Sequence, residues 1–342
     1  MKLVVQEVLN QEICHYASPQ MSIFSRSNDV SVYWPGGNRL LVLPAAGWER
    51  AVSWSRLARR ALRLDKCNVA PVGEDLVIIR QGVVFHYERA AGILTPTLRL
   101  KNCRSILHQS IAVTPDQALY FGEYGSNPGR LEVPIYRSRD GGKSWDPLYT
   151  FPRGKIRHVH GCYFDPFENK VWVFSGDFKD ECFVLCADPD FRQVEWIGSG
   201  QQEYRACNAF FEKDSIHWIM DSQLEDSYHI EMDRKTRQIR RKQRFPGPVW
   251  YIKKLEDRFY LAATAQEIGP GVHDQCAHLM VSRDLETWED VYQFHHDGLP
   301  KRYFKFGVVG FADGPQSAAS FYIFLEALQG LDGKTVRCRL EE

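Results

Sequence analysis

The stretch Arg157–Asp177, with the sequence RHVHGCYFDPFENKVWVFSGD, is the segment from which the fold can be worked out. It has the pattern of two strands of one hairpin: the first strand opens with His158 and His160, and the second ends at Asp177. Side chains two residues apart in a strand project from the same face, so we expect both histidines on one side of the sheet. The same order of a polar opener, a strand, a turn, a strand and an acidic end recurs along most of the chain.

The second strand of each apparent hairpin marks a repeat. Seven segments fit this position: Arg39–Pro44, Asp75–Arg80, Ala118–Glu123, Lys170–Asp177, Ser215–Asp221, Arg258–Glu267 and Ser320–Glu326. Their ends recur roughly every 40 to 50 residues, a period typical of four-stranded propeller blades. The sequence therefore predicts an all-β fold, a seven-bladed β-propeller, with six blades as the alternative.

The last repeat is one strand short, because it stops after a third strand at Lys334–Leu340. The N-terminus offers a strand without a partner, Lys2–Val8. We expect this strand to complete the last blade, which closes the ring and removes two open sheet edges. No linker rich in Pro, Gly or Ser interrupts the pattern, so the prediction is one domain over residues 1–342.

One basic stretch, Trp48–Arg63, does not fit the pattern. It has the composition of an amphipathic helix, but in the repeat register it falls where strands three and four of the first blade belong. Because tertiary context often overrides propensity, the prediction here is strands.

Charge and cysteine content narrow the class of protein. Lys plus Arg and Asp plus Glu number 43 each, which argues against the basic surplus of a nucleic-acid-binding protein. The nine cysteines are odd in number and form no CxxC pair, as expected for reduced thiols in a cytosol. The N-terminus lacks the apolar core of a signal peptide, and no apolar run reaches the ~20 residues that span a bilayer. We expect a cytoplasmic protein with no nucleic-acid or membrane partner.

Two turns carry a resemblance to a known family. Ser138–Trp145, with the sequence SRDGGKSW, resembles the Asp-box (BNR repeat), of form S-x-D-x-G-x-[TS]-W, and Ser282–Trp288 resembles a copy one residue shorter without its glycine. In such a turn a hydroxyl and a carboxylate satisfy backbone N–H groups, and glycine supplies a positive φ. The chain is thus similar to the sialidase-like Asp-box β-propellers.

This resemblance implies a propeller across the whole chain and a glycan as its ligand. In that family the boxes are structural, so Asp140 and Asp284 are not expected to be catalytic. The N-terminal Arg-Ile-Pro signature of sialidases is absent, which points to a glycan-directed propeller other than a sialidase. Fold alone does not fix function.

Residues that begin or end the inner strands of a propeller converge on a central funnel. The catalytic candidates are His158, His160, Asp177, Asp221, Glu267 and Tyr251, and the substrate-binding candidates are His108, Glu123, Arg157, Tyr204, Arg205, Trp250, Lys305 and Glu326. Arg80, Asn208, Arg302 and Tyr303 occupy similar positions. Aromatic rings that stack on a sugar, arginines that bind a carboxylate, and acids or histidines that transfer protons together suit a charged sugar.

Each candidate also has a structural alternative. A strand-end acid often caps a turn, although five acids in one register favour a pocket. One histidine of the His158/His160 pair could pack between blades instead of binding a metal or acting as a base. Arg205 could equally form an ion pair between blades, and the basic run Arg234–Arg244 has the pattern of a solvated outer hairpin.

The first functional hypothesis is a carbohydrate-active enzyme, a glycoside hydrolase or a uronate-type lyase, acting on an acidic oligosaccharide. In a lyase Arg205 would bind the sugar carboxylate, His158 or His160 would take the proton, and Tyr251 or Tyr204 would protonate the leaving oxygen. In a hydrolase, two of the acids Asp177, Asp221 and Glu267 would act as a pair. These residues point to no definite cofactor, and a divalent metal, Mn²⁺ or Ca²⁺, at the histidines and acids is compatible with them. The second hypothesis is a non-catalytic propeller that binds a glycan or a protein.

Overall fold

Seven four-stranded antiparallel sheets make up most of the chain in the computed structural model, which describes residues 1–342. The protein is therefore an all-β, seven-bladed β-propeller, as the sequence predicts, and the six-bladed alternative is wrong. The residues group into two compact units, Met1–Cys67 with Gln223–Ser227 and Gln243–Glu342, and Asn68–Ser222 with Tyr228–Lys242. A single domain over residues 1–342 stays a prediction.

The first unit contains three blades and all three α-helices. Its strands, numbered in chain order, are β2 (Ile13–Ala17), β3 (Ser22–Arg26), β4 (Asp29–Trp34) and β5 (Gly37–Val42); β22 (Val249–Lys254), β23 (Tyr260–Thr264), β24 (Cys276–Ser282) and β25 (Glu289–His295); and β26 (Val308–Phe311), β27 (Phe321–Glu326), β28 (Lys334–Glu341) and β1 (Lys2–Leu9). The helices are α1 (Gly47–Val52), α2 (Arg56–Leu62) and α3 (Lys301–Phe304). No helix is long and apolar enough to cross a membrane.

The other four blades fall mainly in the second unit. Their strands are β6 (Cys67–Val72), β7 (Asp75–Arg80), β8 (Val83–Glu88) and β9 (Ile93–Arg99); β10 (Ala112–Val113), β11 (Leu119–Gly122), β12 (Val133–Ser138) and β13 (Asp146–Phe151); β14 (Val159–Asp165), β15 (Lys170–Ser175), β16 (Cys182–Ala187) and β17 (Val194–Gly200); and β18 (Phe210–Phe211), β19 (Ser215–Ile219), β20 (Tyr228–Asp233) and β21 (Ile239–Arg244). A 3-10 turn, Gln202–Tyr204, precedes β18.

The last blade is completed by the first strand of the chain. β1 pairs antiparallel with β28, with Lys2 opposite Glu341 and Leu9 opposite Thr335. The predicted closure by the N-terminal strand is therefore confirmed.

The core of each unit lies between neighbouring sheets. In the second unit Phe174 of β15 packs edge-on against Trp218 of β19, with ring centroids 6.0 Å apart. Every residue of β16 is buried, because its sheet is covered on both faces. Strands covered on both faces need continuous apolar runs, which explains why β16 does not show a simple polar–apolar alternation.

The sequence prediction misplaces the first blade. Its four strands occupy residues 13–42, so Arg39 lies in the fourth strand, β5, and not in the second. The stretch Trp48–Arg63 accordingly forms α1 and α2, and the prediction of strands there is wrong. Ala, Arg and Leu are strong helix formers. Ser55 caps α2 by accepting the N–H of Ala58 at 3.3 Å, and Arg63 ends it at φ +59°.

Buried ion pairs fix α2 to the first unit. Arg59 donates to Asp65 at 2.9 Å and also pairs with Glu12, while Arg56 bonds Asp65 at 2.6 Å and Asp332 at 2.9 Å. Burial and the nearby Asp65 carboxylate raise the pKa of Glu12 to about 7, although Arg56 and Arg59 act in the opposite direction. A helix that carries so many arginines is therefore stabilised by acids from other parts of its unit.

Both Asp-box-like turns have the hydrogen bonds expected of them. The Ser138 hydroxyl accepts the N–H of Gly142 at 2.8 Å, and Asp140 accepts the N–H of Ser144 at 2.9 Å. In the shorter turn Leu285 adopts φ +60°, which is the conformation that glycine would supply. These turns lie between third and fourth strands, and Asp140 takes part in turn formation.

Candidate functional site

The first strand of the fourth blade, β14, begins with a β-bulge. Its register with β15 shifts between Val159 and Gly161, which makes His160 the extra residue. A side chain on Gly161 would lie 2.2 Å from the hydroxyl oxygen of Tyr163, so only glycine fits there. Bulges re-aim side chains next to functional sites. Here the imidazoles of His158 and His160 come together with ring centroids 5.0 Å apart.

Asp177 lies two residues after the end of β15, and both imidazoles contact its carboxylate. Its Oδ1 lies 3.4 Å from Nε2 of His158 and 3.2 Å from Nε2 of His160. Gly176 allows the chain to bring Asp177 to this place. It adopts φ +131°, and a Cβ added to it would lie only 2.8 Å from the Cα atom of Cys182, so a larger residue does not fit. Burial would raise the pKa of Asp177, but the two neighbouring imidazoles, of His158 and His160, hold that pKa well below its ordinary value.

The opposite nitrogens of the two imidazoles are anchored to the backbone. Nδ1 of His158 lies 2.7 Å from the carbonyl oxygen of Gly125, and Nδ1 of His160 lies 2.9 Å from that of Ala206. A carbonyl oxygen only accepts hydrogen bonds, so each Nδ1 carries the hydrogen. Both rings are buried, at 3% and 1% exposure. Burial also lowers the pKa of His158 below its ordinary value, against the effect of Asp177.

A buried arginine and a second acid lie behind Asp177. Arg205 donates to the main-chain oxygen of Asp177 at 2.8 Å, and its Nη2 lies 3.3 Å from Oδ1. Its Nε lies 3.4 Å from Oδ2 of Asp221, which also accepts the thiol of Cys207 at 3.3 Å. Arg205 is 4% exposed, so this guanidinium organises the two acids and does not face solvent.

Arg157 and Tyr124 form the exposed edge of the cluster. Arg157 donates to Oδ2 of Asp177 at 2.6 Å and to the carbonyl oxygen of Ser126 at 2.9 Å, yet its side chain stays 27% exposed. The ring of Tyr124 packs over His158 with centroids 4.1 Å apart. We call the seven residues Tyr124, Arg157, His158, His160, Asp177, Arg205 and Asp221 the histidine–aspartate cluster.

Other predicted residues of the second unit have structural surroundings. Glu123 is buried and accepts the backbone N–H groups of Lys101 and Asn102, each at 2.9 Å, and the hydroxyl of Tyr136 at 3.0 Å. Tyr204 lies in the 3-10 turn, 6.3 Å from Trp218 between ring centroids. Asn208 bonds the N–H of Ala209 at 2.7 Å, His108 is half-buried before β10, and Arg80 is buried at the end of β7.

The predicted residues of the first unit form pairs among themselves. The indole N–H of Trp250 donates to Glu267 at 2.7 Å, and the ammonium of Lys305 donates to Glu326. Tyr251 is 5% exposed within the hydrophobic core of its unit. All five side chains thus have partners within their own unit.

Two members of the arrangement, Tyr124 and Cys207, are absent from the sequence prediction. Cys207 has a detectable signal, since Arg205-x-Cys207 has the same spacing as His158-x-His160 and also precedes a first strand. Tyr124 follows Glu123 and leaves no signal, because its stacking on His158 depends on how two chain segments meet.

The cluster and the adjoining Cys207 contain two overlapping sets of metal-ligating side chains. The ligand atoms of His158, His160 and Asp177 lie within 4.8 Å of one another, and so do those of His160, Cys207 and Asp221. In the second set Nδ1 of His160 already bonds to a backbone carbonyl. In the first set Nε2 of both histidines faces the carboxylate, which suits a divalent ion better.

Comparisons with known proteins identify the fold only. No family model matches the sequence, and no curated protein matches it. The extracellular domain of a one component system of B. thetaiotaomicron is similar with a TM-score of 0.57 and 11% identity; all of this chain is covered, but it spans only 40% of that protein.

Two further solved structures are similar over nearly their whole length. YCF48 bound to D1 peptide has a TM-score of 0.58 and 12% identity, covering 99% of this chain and 95% of that one. A chain of the mitotic checkpoint complex has a TM-score of 0.58 and 10% identity, with the same coverage. At such identities the likeness shows that this chain has a β-propeller fold and leaves its activity open.

Proposed function

We propose that this protein is a carbohydrate-active enzyme that binds an acidic oligosaccharide at the histidine–aspartate cluster and cleaves it by β-elimination. The observation that carries the proposal is the pair Arg157 and Tyr124, a partly exposed guanidinium and a phenol that both contact a buried cluster of imidazoles and carboxylates. A guanidinium is suited to a sugar carboxylate, and a phenol can transfer a proton.

The cluster geometry favours elimination over hydrolysis. A glycoside hydrolase needs one carboxyl group protonated as an acid. Asp177 is paired with Arg157 and its pKa is held well below its ordinary value. Asp221 lies beside Arg205 and accepts the Cys207 thiol. Neither acid is therefore suited to donate a proton.

The elimination assigns different roles from those expected from sequence. Arg157 binds the sugar carboxylate, because Arg205 is buried between two acids. Tyr124 takes the proton from the carbon beside the carboxylate, because both histidines are buried with Nε2 turned toward Asp177. Tyr124 acts as the phenolate and becomes a neutral phenol when it takes this proton. The electron pair of the C–H bond forms the double bond, the glycosidic C–O bond breaks with its electron pair going to the leaving oxygen, and that oxygen takes the proton from the Tyr124 phenol.

The test is mass spectrometry of a panel of acidic oligosaccharides incubated with the protein, with and without Mn²⁺ or Ca²⁺. Elimination gives fragments with a new double bond, whereas hydrolysis gives fragments that have gained a water. We expect Tyr124→Phe to reduce turnover by about 100-fold or more, and Tyr292→Phe, at an exposed tyrosine, to leave it unchanged. Fragments that have gained a water, or full activity in Tyr124→Phe, would refute elimination through Tyr124.

A specific observation favours a second candidate, a non-catalytic propeller that binds an acidic glycan. A groove of about 750 Å³ in the second unit is lined by residues of β9, β12 and β13 and by Trp145, which directly precedes β13. Arg99, Lys101 and Arg153 also line it; all three are exposed and none has an acidic partner. Three unpaired cations beside an aromatic ring suit a polyanionic sugar chain.

The two candidates are separated by a charge-reversed variant, Arg99→Glu with Lys101→Glu and Arg153→Glu. If every sugar of the panel emerges unchanged, and binding measured by calorimetry is lost in this variant, the binding role replaces the enzyme. If turnover persists in the variant, the groove is not the place of chemistry.

The remaining expectations belong to the same proposal. We propose an acidic oligosaccharide as the partner, with no nucleic acid and no membrane, a cytoplasmic location, and a relationship to the Asp-box propellers. The balance of 43 basic and 43 acidic residues and the geometry of the two Asp-box-like turns support these expectations.

A further inference from the structure

Three hydrogen-bond acceptors converge inside the histidine–aspartate cluster. Because Nδ1 of His158 and of His160 each donate to a backbone carbonyl, the neutral rings carry lone pairs on Nε2. Both Nε2 atoms point at Oδ1 of Asp177, at 3.4 and 3.2 Å. Lone pairs facing one another in a buried site are unfavourable unless a cation lies among them.

Protons alone satisfy this arrangement poorly. A single proton on His160 would make one hydrogen bond to Asp177 and leave Nε2 of His158, a buried atom without a hydrogen-bond partner, still unsatisfied. Protons on both rings would carry the same charge as one divalent ion, but they would direct two N–H donors at a single oxygen, Oδ1 of Asp177.

We propose that His158 Nε2, His160 Nε2 and Asp177 Oδ1 bind a divalent transition-metal ion. One ion satisfies all three acceptors at once. The hydrogen bonds from Nδ1 to backbone carbonyls are the outer contacts that orient metal-binding imidazoles. Two imidazole ligands favour Zn²⁺ or Co²⁺, because Ca²⁺ and Mn²⁺ prefer oxygen ligands. Arg157 and Arg205 are balanced by Asp177 and Asp221, and three protein ligands leave positions open.

The ion adds positive charge next to Arg157. This surplus favours an anionic ligand at the exposed edge of the cluster, which agrees with the acidic sugar proposed above. Metal binding itself does not depend on that proposal, and it is tested without measuring any reaction.

The experiment uses the full-length chain, stripped with a chelator and titrated with Zn²⁺ by calorimetry and with Co²⁺ by visible absorption. We expect one equivalent of each ion to bind, and excess Ca²⁺ to compete for neither. His158→Gln and Asp177→Asn should each weaken Zn²⁺ binding by more than about 100-fold. Circular dichroism before titration shows whether each variant is folded, and His158→Gln serves if Asp177→Asn is not.

Two control variants make the result specific. His278 is a buried histidine placed between Asp274 and Asp290, at 2.7 and 2.8 Å, and His278→Gln should bind Zn²⁺ like the original chain. Cys207→Ser should also retain binding, because Cys207 belongs to the other ligand set. Equal binding in His158→Gln and the original chain, absence of one-equivalent binding, or loss of binding in Cys207→Ser alone would each overturn the proposal.

Discussion

At the scale of single residues, Asp177 has an unusual number of partners for one carboxylate. It contacts two imidazoles and two guanidiniums at 8% exposure. Removing one partner of a buried ion pair leaves the remaining charge buried without compensation. The resulting loss of folding stability is larger than the stability that the intact pair contributes. The stability of this region therefore depends on the carboxylate more than on any one cation.

The Asp177→Asn substitution tests this dependence. We expect the free energy of unfolding to fall by about 3 to 5 kcal/mol, because Arg157 and Arg205 lose a charged partner in a buried place. Asp190→Asn is the matched control: Asp190 also pairs with three arginines, Arg137, Arg139 and Arg192, but at the surface. Denaturant unfolding should show little change for the control, and equal effects of the two substitutions would contradict the interpretation.

Glu12 gives a pH dependence of stability. Its carboxyl faces Asp65 and the guanidiniums of Arg26, Arg56 and Arg59, and its pKa is raised to about 7. The folded protein then binds this proton more tightly than the unfolded chain does. The contribution is therefore stabilising at low pH, and the free energy of unfolding falls as pH rises from about 4.5 to about 7.

The Glu12→Gln variant removes that proton. Urea unfolding of both proteins between pH 4.5 and pH 7.5 should show a decline for the original chain that exceeds the variant's by up to about 3 kcal/mol. Parallel curves for the two proteins would mean that Glu12 does not titrate in this range.

Residue patterns in the sequence predict part of the cluster. His158 and His160 stand two residues apart at a strand opening, and Asp177 follows the paired strand, so alternation predicts that the three lie close together. Alternation cannot show which way a buried guanidinium points, and Arg205, a candidate for binding a ligand carboxylate, faces Asp177 and Asp221. Alternation cannot show stacking between segments either, which is how Tyr124 joins the cluster.

At the scale of elements, the bulge in β14 decides where His160 points. The extra residue is accommodated because Gly161 has no side chain beside the hydroxyl of Tyr163, which donates to the carbonyl of Cys207. The bulged strand β14, Gly161 and Tyr163 thus act together to set the position of His160. A change in any of them should disturb the histidines without touching them.

Gly161→Ala tests the bulge. An added methyl would lie 2.2 Å from the Tyr163 hydroxyl, and Tyr163 is buried, so we expect a loss of about 1 to 3 kcal/mol in unfolding free energy. Gly47→Ala is the control, since an added methyl there meets nothing within 4 Å and lies at the start of α1. Thermal melts that rank Gly161→Ala with Gly47→Ala would show that the bulge tolerates a side chain.

The helices show where periodicity fails. From Trp48 to Arg63 the repeat register predicts strands, whereas the helix propensity of the residues predicts a helix. The segment is helical, because the four strands of the first blade are already complete at residue 42. The register is misleading since β5 resembles a second strand in composition. Counting strands from the N-terminus, starting at Ile13, leaves the basic stretch outside the blades.

At the scale of the whole molecule, the closure of the last blade joins the two ends of the chain. The missing fourth strand after Leu340 and the unpartnered strand at Lys2 are enough to predict this from sequence. The outer position of β1 explains its composition, because Val5 and Val8 are 43% and 50% exposed while Leu3 is buried.

Deletion of residues 1–10 tests the closure. We expect the truncated chain to lose its cooperative melt, because the edge of β28 becomes unpaired and the last blade loses a strand. Removal of Glu342 alone, which pairs with the exposed Arg283, is the control and should not change the melting temperature. A truncated chain that melts like the original would refute the requirement for β1.

The pairing of β1 with β28 also has a consequence for biosynthesis. β1 is translated well before β28, since about 325 residues separate Leu9 from Lys334, and the sheet that they share cannot form until β28 has been made. At roughly 5 to 20 residues per second, Lys2–Leu9 waits on the order of 20 to 70 seconds for its partner. During that interval β1 has no strand partner, and Leu3, which the folded chain buries at 7% exposure, stays open to solvent.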